Sequence, residues 1–191
     1  MIQDRESYLS DGNEPVCITD FFLVESSRRS PVGSFTRSQL YYLQADLFGA
    51  GIDTSKNTVL WALLFLSSDT FKDLQQNIQL QIDHECGGNT PSLTSNLPLL
   101  RATILEVQRL RPVTPLGVPH GTVTATRVGS WTLPAGTMVL PLHWAINRDP
   151  DLWENPEEFR PSRFLDESGA LIENRNLYPF QVLSTVRCFY Y

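Results

Sequence analysis

The run Ile104-Leu105-Glu106-Val107-Gln108-Arg109-Leu110-Arg111, followed at once by Pro112, is where the chain's organisation is most legible. Its spacing predicts a helix from about Leu99 to Leu110, stopped before Pro112 because the residue preceding a proline is pushed out of the helical region. Glu106 and Arg109 stand three apart and so share a face. Exposed, such a pair contributes only ~0.2–0.5 kcal/mol. Buried, it is tolerable only with good geometry and further hydrogen bonds, for which Arg163 in Phe159-Arg160-Pro161-Ser162-Arg163-Phe164 is a candidate third member. The spacing leaves both readings open.

Upstream, Thr36 to Ser67 reads as a long helix. Leu40, Leu43, Leu47, Ala50 and Thr54, then Val59, Ala62, Leu63 and Leu66 follow a period near 3.6, with Thr36 as N-cap. Inside it lies Gly49-Ala50-Gly51-Ile52-Asp53-Thr54. Each glycine costs ~1 kcal/mol relative to alanine, so something must require the missing side chains. A flat ligand lying close to the backbone would do so, with Thr54 bonding back to the carbonyl of Ala50 and loosening the helix; tight helix packing is the alternative. A second helix is expected over Thr70 to Glu85, ended by Gly87-Gly88. Before Phe35 only Ile18 to Val24 is apolar enough for a helix.

Beyond Pro112 the texture turns to Thr, Val, Gly and Pro. Strands are expected at Thr122–Thr126, Ser130–Leu133 and Thr137–Leu140, the last two joined by a turn at Pro134 and Gly136, and a short helix over Asp149–Phe159.

Bulk properties narrow the field. The 41% hydrophobic and 19% charged content is that of a globular chain, and a net charge of -6 argues against a nucleic-acid partner. Cys17, Cys86 and Cys188 form neither a disulfide framework nor a zinc spacing. The run Val59–Leu66 is too short for a bilayer span, and the Met1 end lacks the pattern of a signal or anchor, so no export is expected. His84 and His143 have no partner at ligand spacing, and Tyr41, Tyr42 and Trp61 read as packing residues.

In this order, the glycine-bearing helix, the Glu-x-x-Arg pair and the Phe-x-Pro-x-Arg-Phe segment resemble the cytochrome P-450 family of haem-thiolate monooxygenases. Leu97-Pro98, Trp131 to Thr137, Asn147-Arg148-Asp149-Pro150, Trp153 and Pro156 agree as well, so the likeness runs from roughly Phe35 to Phe180. It implies a mainly α fold with a small β-sheet, a partial cytochrome P-450 domain over 36–181, a less defined segment over 1–35 and a divergent tail over 182–191.

The resemblance also implies roles. Asp53 and Thr54 would be catalytic, relaying protons to iron-bound dioxygen. Ala50, Gly51 and His120 would bind haem, His120 through a propionate, although a solvated loop histidine is an equal reading. Val113, Thr114 and Leu116 would line the substrate pocket, and Glu106, Arg109 and Arg163 would interlock as a structural ion network. The implied partners are an apolar small-molecule substrate and an NADPH-dependent reductase. The implied location is the endoplasmic reticulum membrane for the parent family; this chain, showing no anchor, is expected in the cytoplasm if expressed alone.

One stretch departs from the family. Its ligand loop reads Phe-x-x-Gly-x-Arg-x-Cys-x-Gly; after Phe180 and Gln181, Leu183 replaces the glycine, Thr185 the arginine and Arg187 the cysteine, with Cys188 one place late. Cys188 is the metal ligand candidate, and the chain is expected to be a truncated, inactive copy. A non-catalytic fragment that binds a partner protein is the alternative reading, and an unrelated helical domain a third.

Overall fold

The computed structural model of the chain describes residues 2–28, 35–92, 95–172 and 177. These divide into two compact units, residues 1–55 and 56–191.

In the first unit, α1 (Ile2–Ser10) and α2 (Ile18–Arg28) pack together. Their joint is an ion pair: Arg5 Nε donates to Oδ1 of Asp20 at 2.7 Å, and Arg5 Nη2 donates to Oδ2. Asp20 is fully buried. It also accepts the N–H groups of Val16 and Cys17 at 2.9 and 3.2 Å, so its carboxylate satisfies donors that the start of α2 leaves orphaned. The guanidinium of Arg5 holds the Asp20 carboxyl well below the usual carboxylate range, helped by those backbone donors.

The long helix α3 (Arg37–Leu66) opens with a reciprocal cap. The Thr36 hydroxyl accepts the N–H of Gln39 at 3.3 Å, while the Gln39 amide oxygen accepts that of Thr36 at 3.2 Å. Thr36 thus caps the helix where its sequence position predicts. The apolar face is another matter: Leu40 is the buried residue of α3, while Leu47, Val59 and Leu63 are 49%, 56% and 59% exposed. Tyr41 and Tyr42 are also exposed, not packed.

In the second unit a 3₁₀ turn (Asp69–Phe71) leads into α4 (Lys72–Cys86), which Gly87 terminates at φ 55°, a left-handed conformation that glycine adopts without Cβ strain. Helix α5 (Pro98–Leu110) places Pro98 in its first turn, where the absent N–H costs nothing. It buries Ala102, Thr103, Glu106, Val107, Arg109 and Leu110. Ala102 meets Trp153 and Phe164, with Leu105, Leu165 and Leu177 around them. Val107 and Leu110 meet Phe159, with Ala62, Phe65, Phe71 and Leu74. Phe65 stacks flat on Phe159 at 4.2 Å between ring centroids. Each fully buried aliphatic or aromatic side chain contributes ~1.5–3 kcal/mol.

Two of the three expected strands form within their expected bounds, as Trp131–Leu133 and Met138–Val139, and the third does not. Strands β1 (His120–Gly121) and β4 (Met138–Val139) pair antiparallel, as do β2 (Thr126–Val128) and β3 (Trp131–Leu133). Thr122–Thr126 is therefore not a strand along its length. The buried hydroxyl of Thr122 donates to Pro134 O at 2.6 Å and accepts the N–H of Thr137 at 2.9 Å, beside the main-chain bonds from the Thr122 N–H to Thr137 O and from the Gly136 N–H to Thr122 O. Pro134 and Gly136 turn the chain from one small sheet to the other and do not close a hairpin between neighbours. The expected helix over 149–159 is also absent. Helix α6 (His143–Ile146) lies upstream of it, and 149–158 is a succession of turns, because Pro150 and Pro156 supply no N–H for a helical ladder. A 3₁₀ turn over Pro161–Phe164 packs on α5. Among the described residues no helix is long and apolar enough to cross a membrane.

Candidate functional site

The centre of the second unit is a carboxylate. Glu106 and Arg109 have no exposed side-chain surface, and the Arg163 side chain is 6% exposed. Arg109 grips Glu106 through two parallel bonds, Nε to Oε2 at 2.8 Å and Nη2 to Oε1 at 2.9 Å. Arg163 Nε donates to Oε1 at 3.0 Å, and the backbone N–H of Arg160 donates to the same oxygen at 2.8 Å. This is the geometry in which a planar guanidinium fork binds a carboxylate most strongly.

The remaining donors of Arg109 reach main-chain carbonyls. Nη1 donates to Asn147 O at 2.6 Å and Pro156 O at 2.7 Å, and Nη2 donates to Glu158 O at 3.1 Å. All the N–H groups of the guanidinium are thereby used. Arg163 adds Glu154 O at 3.1 Å and Glu158 O at 3.3 Å. Trp153 lies beside both guanidinium carbons, 5.2 Å from that of Arg109 and 6.0 Å from that of Arg163. One helix, one irregular segment and one 3₁₀ turn are thus tied to a single glutamate. The sequence pointed to three members; the carbonyls of 147–158 carry no side-chain signal that would have identified them.

The pocket-lining candidates follow α5. Val113 is half-buried, whereas Thr114 and Leu116 are exposed. His120 is 3% exposed and opens β1 opposite Val139, so it is not a solvated loop histidine. His143 is buried as well, with Nδ1 donating to Thr114 O at 3.1 Å.

The glycine-bearing stretch lies in the first unit. Thr54 Oγ1 donates to Ala50 O at 2.7 Å, the back-bond expected of a threonine within a helix. Asp53 and Thr54 are exposed, Gly51 is half-buried, and Ala50 precedes it on α3. Among the described residues nothing lies within 4 Å of a Cβ built at Gly49 or Gly51, so packing among those residues does not account for either glycine. Cys188, the metal-ligand candidate one place out of register, lies outside the described residues, as do Phe180, Gln181 and the rest of the divergent tail.

Comparison with known proteins sets these geometries in context. The family model described as Cytochrome P-450 matches residues 1–182, extending the likeness over α1 and α2 and ending next to the departure at Leu183. Cytochrome P-450 2U1 of Homo sapiens is 40% identical over 188 residues, covering 95% of this chain and 34% of the relative. Cytochrome P-450 306a1 of Drosophila melanogaster is 41% identical over 175 residues, 89% of this chain and 29% of the relative. A steroid 17-alpha-hydroxylase/17,20 lyase of Gallus gallus is 37% identical over 152 residues, 78% of this chain and 30% of the relative. The chain spans about a third of the length of the curated relatives it matches.

Proposed function

Because the chain belongs to the cytochrome P-450 family, we propose that it carries the oxygen-handling helix and the haem-supporting network of a monooxygenase acting on apolar small molecules. The observation that carries this reading is the buried Glu106 carboxylate, held at once by Arg109, Arg163 and the Arg160 backbone. So many charge-assisted bonds on one group make a rigid base beneath a cofactor, a stiffness that the irregular segment 147–158 lacks by itself.

A haem fits the residues present on one side. The flank of α3 at Gly49 and Gly51 is clear of neighbouring side chains among the described residues, which suits a flat group, and Ala50 and Gly51 would lie against it. His120, buried at the start of β1, would donate to a propionate. Bound through a cysteine thiolate, haem supplies the cleavage of dioxygen. The chain's own contribution is proton handling. The Thr54 hydroxyl would exchange its bond to Ala50 O for one to a water molecule, and the Asp53 carboxylate, exposed at the surface of α3, would return protons from solvent. Val113, Thr114 and Leu116 would contact the substrate. Electrons would come from NADPH through a separate reductase at the endoplasmic reticulum membrane.

On the thiolate side the fit fails in sequence. Arg187 occupies the cysteine's position and Cys188 follows it, so in this reading a thiolate-bound centre needs the family's ligand loop in place of the tail.

The test is a chimera in which residues 1–180 replace the matched third of human cytochrome P-450 2U1, which keeps its own ligand loop. Given isotope-labelled dioxygen, NADPH, reductase and a substrate that the intact relative oxidises, the chimera should place one labelled oxygen atom in the product. A chimera that takes up haem and yields no labelled product overturns the reading.

A further inference from the structure

We infer that His143 is a positioning residue for the segment Val113–Leu116, whose Thr114 carbonyl it holds. The effect of this on substrate selectivity rests on the pocket-lining role proposed above.

The segment has unusual needs. Pro112, Pro115 and Pro119 carry no N–H, so between α5 and β1 the chain offers mainly carbonyls, which must find donors elsewhere. The stretch around α6 supplies them. His143 Nδ1 donates to Thr114 O at 3.1 Å, and the Trp144 N–H donates to Pro115 O at 3.1 Å. In the other direction the Gly117 N–H donates to Pro141 O at 2.7 Å. Arg148 Nη2 anchors the root of the segment by donating to Leu110 O, the last carbonyl of α5.

Within this strap His143 is the side chain that reaches the middle of the segment. Its ring is buried, and because a carbonyl only accepts, the Nδ1 atom carries the proton. The backbone at Thr114 is thus fixed between Val113, which is half-buried, and Leu116, which is 63% exposed. Rotation at Thr114 would swing both side chains together, so one hydrogen bond sets the direction of two apolar contacts.

The test is hydrogen exchange read by mass spectrometry on the 191-residue chain and its His143→Ala and His143→Asn variants, with a peptide inside α5 as reference. The amide nitrogen of asparagine can stand where Nδ1 stands. His143→Ala should speed exchange over 113–118 by about tenfold, as expected for one lost hydrogen bond of ordinary strength, and leave the α5 peptide unchanged. His143→Asn should restore protection to within about threefold of the parent. Unchanged exchange in His143→Ala, or an asparagine variant as fast as the alanine one, overturns the inference. If His143→Ala also loosens α5, the asparagine variant decides: protection supports the role and its loss overturns it. Exchange needs neither haem nor turnover, so its outcome is separate from the functional reading. In the chimera, His143→Ala should alter the ratio of oxidised products and His143→Asn should restore it. A constant ratio with altered exchange counts against the pocket-lining reading alone.

Discussion

Arg109 binds Glu106 through two parallel hydrogen bonds of 2.8 and 2.9 Å, with no part of either side chain exposed. Arg163 completes the group from a position 57 residues away in sequence. Breaking a buried ion pair costs ~3–5 kcal/mol, an upper figure for Arg163 because Arg109 and the Arg160 N–H still hold Glu106. Arg163→Ala should therefore lower the denaturation midpoint sharply. Arg160→Ala is the control: it loses only the exposed pair with Glu154, worth under ~1 kcal/mol, and keeps the backbone N–H that meets Glu106. Equal midpoints for the two variants would mean that the buried network does not carry the load.

The Arg5–Asp20 pair makes the first unit sensitive to acid. The folded-state pKa of Asp20 is depressed by Arg5 and by the Val16 and Cys17 donors. Its contribution is therefore present above the unfolded value of ~3.9 and is lost as pH falls through the folded one. Thermal midpoints measured from neutral to acid pH should fall more steeply for the parent than for Asp20→Asn, the two curves converging at the acid end. Parallel curves would show that the pair adds nothing.

Asn155 has φ 44° and stands immediately before Pro156. A left-handed residue with a Cβ costs ~1–2 kcal/mol, and asparagine is among the few that tolerate it. The Asn155 carbonyl accepts the Glu158 N–H at 3.0 Å, so this turn shapes the segment that feeds carbonyls to Arg109 and Arg163. Asn155→Gly should be neutral or stabilising, and Asn155→Val destabilising by about 1–2 kcal/mol. Equal denaturation midpoints would show that the turn relaxes freely.

Thr54→Ala in the chimera tests the proton path. General acid–base groups contribute ~10²–10⁴-fold, so losing the hydroxyl should leave substrate binding intact and divert reducing equivalents to hydrogen peroxide. The ratio of product formed to NADPH consumed measures this. An unchanged ratio assigns Thr54 to its bond with Ala50 alone.

What the sequence made legible was local. Pro112 stops α5, Thr36 caps α3, and Gly87 ends α4, each through chemistry within a few residues. The Glu106–Arg109 face followed from helical spacing, but Arg163 stayed one candidate among open readings until the family resemblance, because no periodicity links a helix to a turn that far along the chain. Strands β3 and β4 fell inside their expected bounds, but β1 and β2 were missed, since short strands depend on partners such as Val139 for His120 more than on propensity. Helix α1 was missed because its sequence is polar, and the Arg5–Asp20 pair that holds it to α2 has no spacing signal. The strap from His143 to Thr114 was illegible for a similar reason: its acceptor is a main-chain carbonyl.

The most direct test of the whole account is the absorbance of reduced protein under carbon monoxide, compared between the unaltered chain and the chimera carrying residues 1–180 with the relative's ligand loop. The chimera should show the red-shifted Soret band of a thiolate-bound haem, and the unaltered chain, where Cys188 stands one place late, should lack it. A folded chimera without that band, or a clear band in the unaltered chain that vanishes in Cys188→Ser, would contradict it.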